Sequence, residues 1–225
     1  MDALSIISLA LGAAWASGIN LYATVLVLGL LGTTGLVGLP AGLDPLMNPI
    51  VLVIAGVVYA IEFFADKIPG VDSVWDTIHT FIRIPAGALM AAGATVGLGE
   101  EYMVALALLG GAAVAAGSHA TKAGSRAMIN TSPEPFTNWG ASIFEDILVV
   151  GGLALALYNP TLFLGFLLLF VLFAIWLLPK IWRGIRSIYR RIAGTAAGPG
   201  AGDDATMLEP PSKGFNLSSV NRDPD

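Results

Sequence analysis

Apolar residues come in long runs separated by short polar breaks, and six such segments can be drawn: 4–37, 47–64, 85–98, 103–126, 139–157 and 162–178. Most are long enough to be judged against a hydrocarbon core about 30 Å thick. The pattern predicts an all-α, polytopic transmembrane helix bundle of about six membrane segments. Segment 4–37 is too long for one straight crossing, since it would run about 50 Å at about 1.5 Å per residue. It is interrupted by Ser17-Gly18 and Asn20, so it is expected to tilt, kink there, or fold back as a re-entrant segment. Segment 85–98 is short, and whether it crosses fully stays open.

Composition sharpens this picture. Of 225 residues, 56% are hydrophobic and 12% charged, with a mean hydropathy of +0.77. Soluble domains are about a quarter charged, so the chain lacks the polar surface that water requires. With 27 glycines and many alanines, the helices can approach closely, as membrane helices do. Cysteine is absent, which excludes disulfides, thiolate metal sites and cysteine nucleophiles. The apolar run near the N-terminus follows Met1-Asp2-Ala3. An acid stands where a signal peptide carries Lys or Arg, so the run is expected to be a retained first membrane segment. Beyond Arg191 the chain turns to Gly, Ala, Pro, Asp and Ser. Residues 1–192 therefore read as the membrane domain and 193–225 as a disordered cytoplasmic tail.

Lys and Arg set the expected orientation. Lys180, Arg183, Arg186, Arg190 and Arg191 follow the sixth segment, a cytoplasmic marker under the positive-inside rule. Counting back through six spans puts 158–161, 99–102 and 38–46 outside, where Asp44, Glu100 and Glu101 occur but no Lys or Arg. Lys67, Arg83, Lys122 and Arg126 fall inside. The expected location is an inner (plasma) membrane, multi-pass, with a cytoplasmic C-terminus. A weak internal match, 12–18 with 111–117, each followed by a polar residue (Asn20 and His119), leaves a duplication open.

The candidate chemistry lies in charged residues at helical spacing. Asp72, Asp76, His79 and Arg83 stand 4, 3 and 4 residues apart, and Glu62 and Asp66 form an i,i+4 pair. His119, Lys122, Arg126 and Asn130 follow at 3, 4 and 4, and Asn138, Ser142 and either Glu145 or Asp146 form a third stripe. Stripes of opposite charge are expected to face each other. The bland alternative puts Asp66, Lys67, Asp72 and Asp76 in a wet loop, with 71–84 as an interfacial helix and Lys122 and Arg126 snorkelling. Glu145 and Asp146 resist that reading, because Ile147-Leu148-Val149-Val150 follows at once. A charge at a membrane-helix centre costs roughly 2.5–3.5 kcal/mol on insertion scales. Asn20 marks a break at which backbone groups become free to bind.

Other chemistries find less support. Asp72, Asp76 and His79 could take a divalent cation, but no confirming pattern accompanies them and no metal or cofactor is expected. No Gly-x-Ser-x-Gly elbow, Walker loop or dinucleotide fingerprint occurs. The basic run 180–191, interleaved with Ile, Trp and Tyr, fits an anionic lipid surface rather than nucleic acid.

Three stretches carry a resemblance: Ala16-Ser17-Gly18-Ile19-Asn20-Leu21-Tyr22-Ala23, Glu62-Phe63-Phe64-Ala65-Asp66-Lys67-Ile68-Pro69-Gly70-Val71-Asp72-Ser73-Val74-Trp75-Asp76, and His119-Ala120-Thr121-Lys122-Ala123-Gly124. With Asn138 and Glu145-Asp146, they resemble the bacterial membrane domain-of-unknown-function family four-one-two-six, over about residues 5–185. The resemblance implies a bacterial membrane protein and supplies no activity.

The expected function is transport or binding of a small solute or ion at a charged intramembrane vestibule facing the cytoplasm. Asn20, Glu62, Asp66, Lys67, Asp72, Asp76, His79, Arg83, His119, Lys122, Arg126, Asn138, Glu145 and Asp146 are the expected binding residues. Asp146 or Glu145 would be the titrating carboxylate, held near Lys122 and Arg126. Asp66, Asp72 and Asp76 would line the mouth. Two alternatives stand beside this: a non-catalytic scaffold or assembly factor, and an enzyme of lipid head groups using His79 or His119. Expected partners are the bilayer and a small solute or ion, with a homo-oligomer allowed and no nucleic acid.

Overall fold

A computed structural model of the chain describes residues 1–99, 101–131 and 135–196. Among these the secondary structure is helical throughout: α1 (Ala3–Thr33), α2 (Pro49–Ala65), α3 (Val71–Thr95), α4 (Glu101–Ile129), α5 (Pro135–Tyr158) and α6 (Pro160–Ala196). A 3-10 turn (Ala41–Met47) precedes α2. Among the described residues, five helices are long and apolar enough to cross a membrane, and the turn and α2, bent by 63°, make a sixth crossing if counted together. The chain is a multi-pass membrane protein by this measure. Contacts divide it into a main unit, Met1–Ile185, and a second from Arg186 onward. The expected tail beyond residue 196 lies outside the described residues.

Helix starts follow ordinary capping rules. Pro49, Pro135 and Pro160 open α2, α5 and α6, where a missing N–H costs nothing. Asn48 caps α2 by accepting from Ile50 N at 2.9 Å. The third segment is longer than its apolar stretch suggested. α3 begins at Val71, so the polar stretch 71–84 and the apolar stretch 85–98 form one crossing despite Pro85. The polar half therefore does not lie flat at the interface; Asp72, Asp76, His79 and Arg83 are buried.

α1 is the central helix. Its residues from Ser8 to Leu21 are almost all buried, while α2 turns Ile50, Val53, Ile54, Val57, Ile61 and Phe64 outward, each at least half exposed. That spacing is the stripe of an amphipathic helix with the usual sense reversed, apolar side chains facing lipid. Because lipid is as apolar as leucine, association rests on close packing rather than on water exclusion. Trp15 packs edge-on against Phe163, Phe166 and Phe170 of α6 at ring distances of 6.2, 5.3 and 5.7 Å. A methyl at Gly152 of α5 would strike the Trp15 ring, and one at Gly18 of α1 would overlap Ser118 Oγ and Ala115 O of α4.

α1 is broken where a polar residue interrupted its apolar run, at Asn20 rather than at Ser17-Gly18. Asn20 alone leaves helical geometry, at φ −146° and ψ 98°. Its side chain accepts from Ala23 N at 3.0 Å, so Asn20 acts as the N-cap of the helix's second half. α4 passes through His119 without interruption, so the small-residue match between α1 and α4 does not extend to the break.

Gly18→Ala is expected to lower the apparent melting temperature in detergent, since overpacking a tight contact costs about 1–3 kcal/mol. Gly117→Ala, one position in α4 where a methyl meets open space, should leave it unchanged. Differential scanning fluorimetry of both variants checks the contrast.

Candidate functional site

The turn between α2 and α3 sets the site's first element. Val71 N donates to Ile68 O at 3.1 Å, with Pro69 and Gly70 at the centre, and Gly70 has φ +86°. A turn with positive φ at its third residue calls for glycine there, which explains the Pro-Gly pair in the Asp-Lys-x-Pro-Gly-x-Asp run. The turn brings Asp66 at the end of α2 close to Asp72 and Asp76 on α3. Asp72 Oδ1 accepts from Gly70 N at 2.9 Å and Ser73 N at 2.7 Å, fixing the first turn of α3.

Three buried cations answer these acids. Arg83 of α3 donates to Glu62 Oε1 at 2.6 Å and Asp76 Oδ1 at 2.8 Å, with all three side chains shut from solvent. Lys122 of α4 lies 3.0 Å from Asp66, 3.4 Å from Glu62, 3.5 Å from Glu145 and 3.6 Å from Asp76. Arg126 grips Glu145 in a bidentate pair at 3.0 and 2.8 Å, the geometry that suits a planar guanidinium best. Its remaining amine donates to Asp66 O at 2.9 Å and Asn138 O at 3.1 Å. Arg126 thereby ties the α2–α3 turn, α4 and α5 together at one end of the bundle.

Neutral groups complete the network. Asn130 Nδ2 donates to both Asp72 oxygens at 2.8 and 3.0 Å, and its Oδ1 accepts from Asn138 Nδ2 at 3.0 Å. The His79 ring stacks on Trp75 at 4.3 Å. Its Nδ1 faces Trp75 O at 2.8 Å; a carbonyl only accepts, so Nδ1 donates there, and Nε2 pairs with the Tyr22 hydroxyl at 3.0 Å. Thr80 spends its hydroxyl proton on Asp76 O. It therefore accepts from His119 Nε2 at 2.7 Å, leaving His119 Nδ1 to face Arg83 at 3.4 Å.

The adjacent acids of α5 part company. Successive helix residues point about 100° apart, and Glu145 turns to Arg126 and Lys122 while Asp146 turns to α1 and α2. Asp146 Oδ1 accepts from Asn20 Nδ2 at 3.1 Å, and its Oδ2 from the Tyr59 hydroxyl at 3.3 Å. Among the described residues, Asp146 belongs to none of the ion pairs within 4 Å. From Pro135 to Asp146 the helix rises about 16 Å, roughly mid-depth in a core of about 30 Å. Lys67 in the turn caps the cluster, donating to Phe63 O at 2.8 Å and lying 3.0 Å over the Phe63 ring. Burial there draws its pKa below the ordinary lysine value.

This geometry changes one expectation and narrows two readings that the sequence left open. Asp66, Asp72 and Asp76 do not line an open mouth; all are at most 3% exposed, because each is drawn against a cation or amide of α3 or α4. Of the two carboxylates expected near Lys122 and Arg126, Glu145 takes that place and Asp146 does not. Asp72, Asp76 and His79 do not converge on one point, turning respectively to Asn130, Arg83 and Tyr22. Among the described residues, no group of three or more His, Asp or Glu is arranged to hold a metal ion. Tyr59 and Tyr22 were missed in the sequence. Tyr59 stands three residues before Glu62 in an apolar helix, and that hydroxyl was the available signal.

A family described as Domain of unknown function (DUF4126) matches residues 7–180. The chain belongs to this family. The DUF4126 match ends before the last turns of α6 and takes in every charged residue of the network. No curated protein and no solved structure matches the chain.

Arg126→Met is expected to destabilise the DUF4126 bundle by about 3–5 kcal/mol, because it leaves buried carboxylates without their partner. Arg183→Ala, at an exposed site, should fall within about 0.5 kcal/mol. Equilibrium unfolding in mixed micelles measures both.

Proposed function

We propose that the protein binds a proton or small cation within the membrane and passes it, or a solute coupled to it, across the bilayer. The observation that carries this reading is Asp146: a mid-depth carboxylate held, among the described residues, by the neutral donors Asn20 at the break of α1 and Tyr59 of α2. Charges inside membrane segments are costly and mark ion pathways. Broken helices are where transporters commonly place such sites.

Charge balance supports the same reading. Six carboxylates (Glu62, Asp66, Asp72, Asp76, Glu145, Asp146) meet four cations (Lys67, Arg83, Lys122, Arg126). Glu62 Oε2, Asp66 Oδ1 and Asp76 Oδ2 are buried without a protein donor. A cluster with surplus acids in a low-dielectric core takes up protons or cations as a unit. The basic residues of the α2–α3 and α4–α5 ends favour an orientation with that end, and the C-terminus, in the cytoplasm of a bacterial inner membrane.

A scaffold role is the second reading, favoured by the fully enclosed Glu62–Arg83–Asp76 triad, which would lock α2 to α3 without any ligand. Lipid-head-group catalysis fits less well, since both ring nitrogens of His79 and of His119 are engaged by neighbours within the bundle.

Thermal unfolding of purified protein across pH and a panel of monovalent cations separates these readings. A ligand of the folded state adds about 2.7 kcal/mol at about 100 times its dissociation constant. Wild type is expected to show an ion- or pH-specific rise that Asp146→Asn loses while remaining folded. A dye-loaded liposome assay should show the matching flux falling at least tenfold. A response unchanged in Asp146→Asn, with Glu145→Gln also silent, would overturn the proposal, and a flat response in all three proteins would favour the scaffold.

A further inference from the structure

On the far side of α5 from Asp146, a cavity of about 490 Å³ opens between α4, α5 and α6. Its volume falls in the range of small-molecule sites. Phe144 of α5 and Phe166, Phe170 and Phe173 of α6 form its walls, and Glu145 and Lys122 stand at its polar end. Phe144 and Phe173 are about half exposed on the outer face of the bundle, so the cavity is reached sideways from the hydrocarbon rather than through water.

The polar end is richer in acceptors than in free donors. Ser118 spends its hydroxyl proton on Ala115 O at 3.1 Å and Thr121 on Gly117 O at 2.8 Å, so both show the cavity only lone pairs. Glu145 is 13% exposed at its side chain, while Lys122 is 2% exposed and enclosed by Glu62, Asp66, Asp76 and Glu145. The more accessible charge is thus the carboxylate, which is bonded to Arg126 through both oxygens but backed by a network with more acids than cations. Phenylalanine faces add attraction for a cation. An anion would meet Glu145 and two acceptor hydroxyls, with Ser125 as the hydroxyl able to donate to it and the one lysine enclosed by four acids.

We propose that this cavity binds a lipophilic organic cation, an ammonium or phosphonium with aryl or alkyl arms, entering from the bilayer. The site goes beyond the proton or ion reading, because it stands on the α4–α5–α6 cavity and not on Asp146. Ile19, which also lines the cavity, is the residue before the Asn20 break, so an occupant would sit one residue from the Asp146 contact.

Tetraphenylphosphonium and tetraphenylborate, alike in shape and opposite in charge, test the proposal by equilibrium binding to detergent-purified protein against protein-free micelles. The expected result is saturable phosphonium binding, at least tenfold tighter than borate. Ala141→Phe, which fills the cavity without altering a charged residue, should weaken it at least tenfold. Glu145→Gln should weaken it too, provided circular dichroism shows the variant folded. Leu169→Ala, outside the cavity on exposed α6 surface, should bind as wild type does. Absence of saturable phosphonium binding, equal or tighter borate binding, or undiminished binding in Ala141→Phe would each overturn the proposal; the second outcome would point instead to an anionic amphiphile such as a lipid.

Discussion

A charge carried into hydrocarbon has to be met there, and the bundle is organised around how Arg83, Lys122 and Arg126 meet their acids. Each cation reaches across a helix boundary: Arg83 from α3 to α2, Lys122 from α4 to α2, α3 and α5, Arg126 from α4 to α5 and the α2–α3 turn. Such pairs add little net stability over an apolar core, but a pair with one member missing is costly. The network therefore acts mainly against alternatives. A register shift of α4 by one turn would strand Lys122 and Arg126 at once, which fixes how α4 stands relative to α2, α3 and α5. Lipid-facing apolar packing cannot supply that specificity, since it distinguishes poorly between one greasy face and another.

α1 lies between this polar assembly and the apolar core. Its N-terminal half is packing: Trp15 in a nest of phenylalanines, Gly12 and Gly18 at close approach to α5 and α4. At Asn20 the helix breaks, and one side chain does two jobs. It caps the second half of α1 through Oδ1 and holds Asp146 through Nδ2. Moving Asp146 thus means moving a helix cap, and a change of charge at Asp146 acts directly on the break. Ser17, one turn earlier, donates to Arg83 O at 3.0 Å, so the same stretch of α1 also touches the helix that carries the buried triad.

Glu145 and Asp146 show how neighbours in sequence acquire opposite roles. The 100° step between them turns Glu145 into a doubly bonded ion-pair member and Asp146 into a carboxylate bonded, among the described residues, to neutral donors. The same step puts the proposed ion site and the α4–α5–α6 cavity on two sides of one helix turn. A solute on one side and a proton or cation on the other would both bear on α5 at mid-depth, which is the arrangement coupling requires.

Much of this was legible in the sequence. Hydrophobic run length dictates membrane helices, helical spacing places Asp72, Asp76, His79 and Arg83 on one face, and the proline and glycine of the α2–α3 connection demand a turn. Asn20 could be read as a break because a polar amide in an apolar run has few other uses. The sequence could not say that 71–84 joins 85–98 in one crossing, because an interfacial helix and a half-buried one share the same amphipathic pattern until a charged partner appears on α4. Nor could it say which of Glu145 and Asp146 faces the arginine, since spacing defines relative angles and not the rotation of the helix. That rotation, the burial of the acids in place of an open mouth, and the partnership of Asp146 with Tyr59 were decided by tertiary packing. The physical reason is that periodicity is a property of one helix, whereas neutralising a buried charge is a property of two.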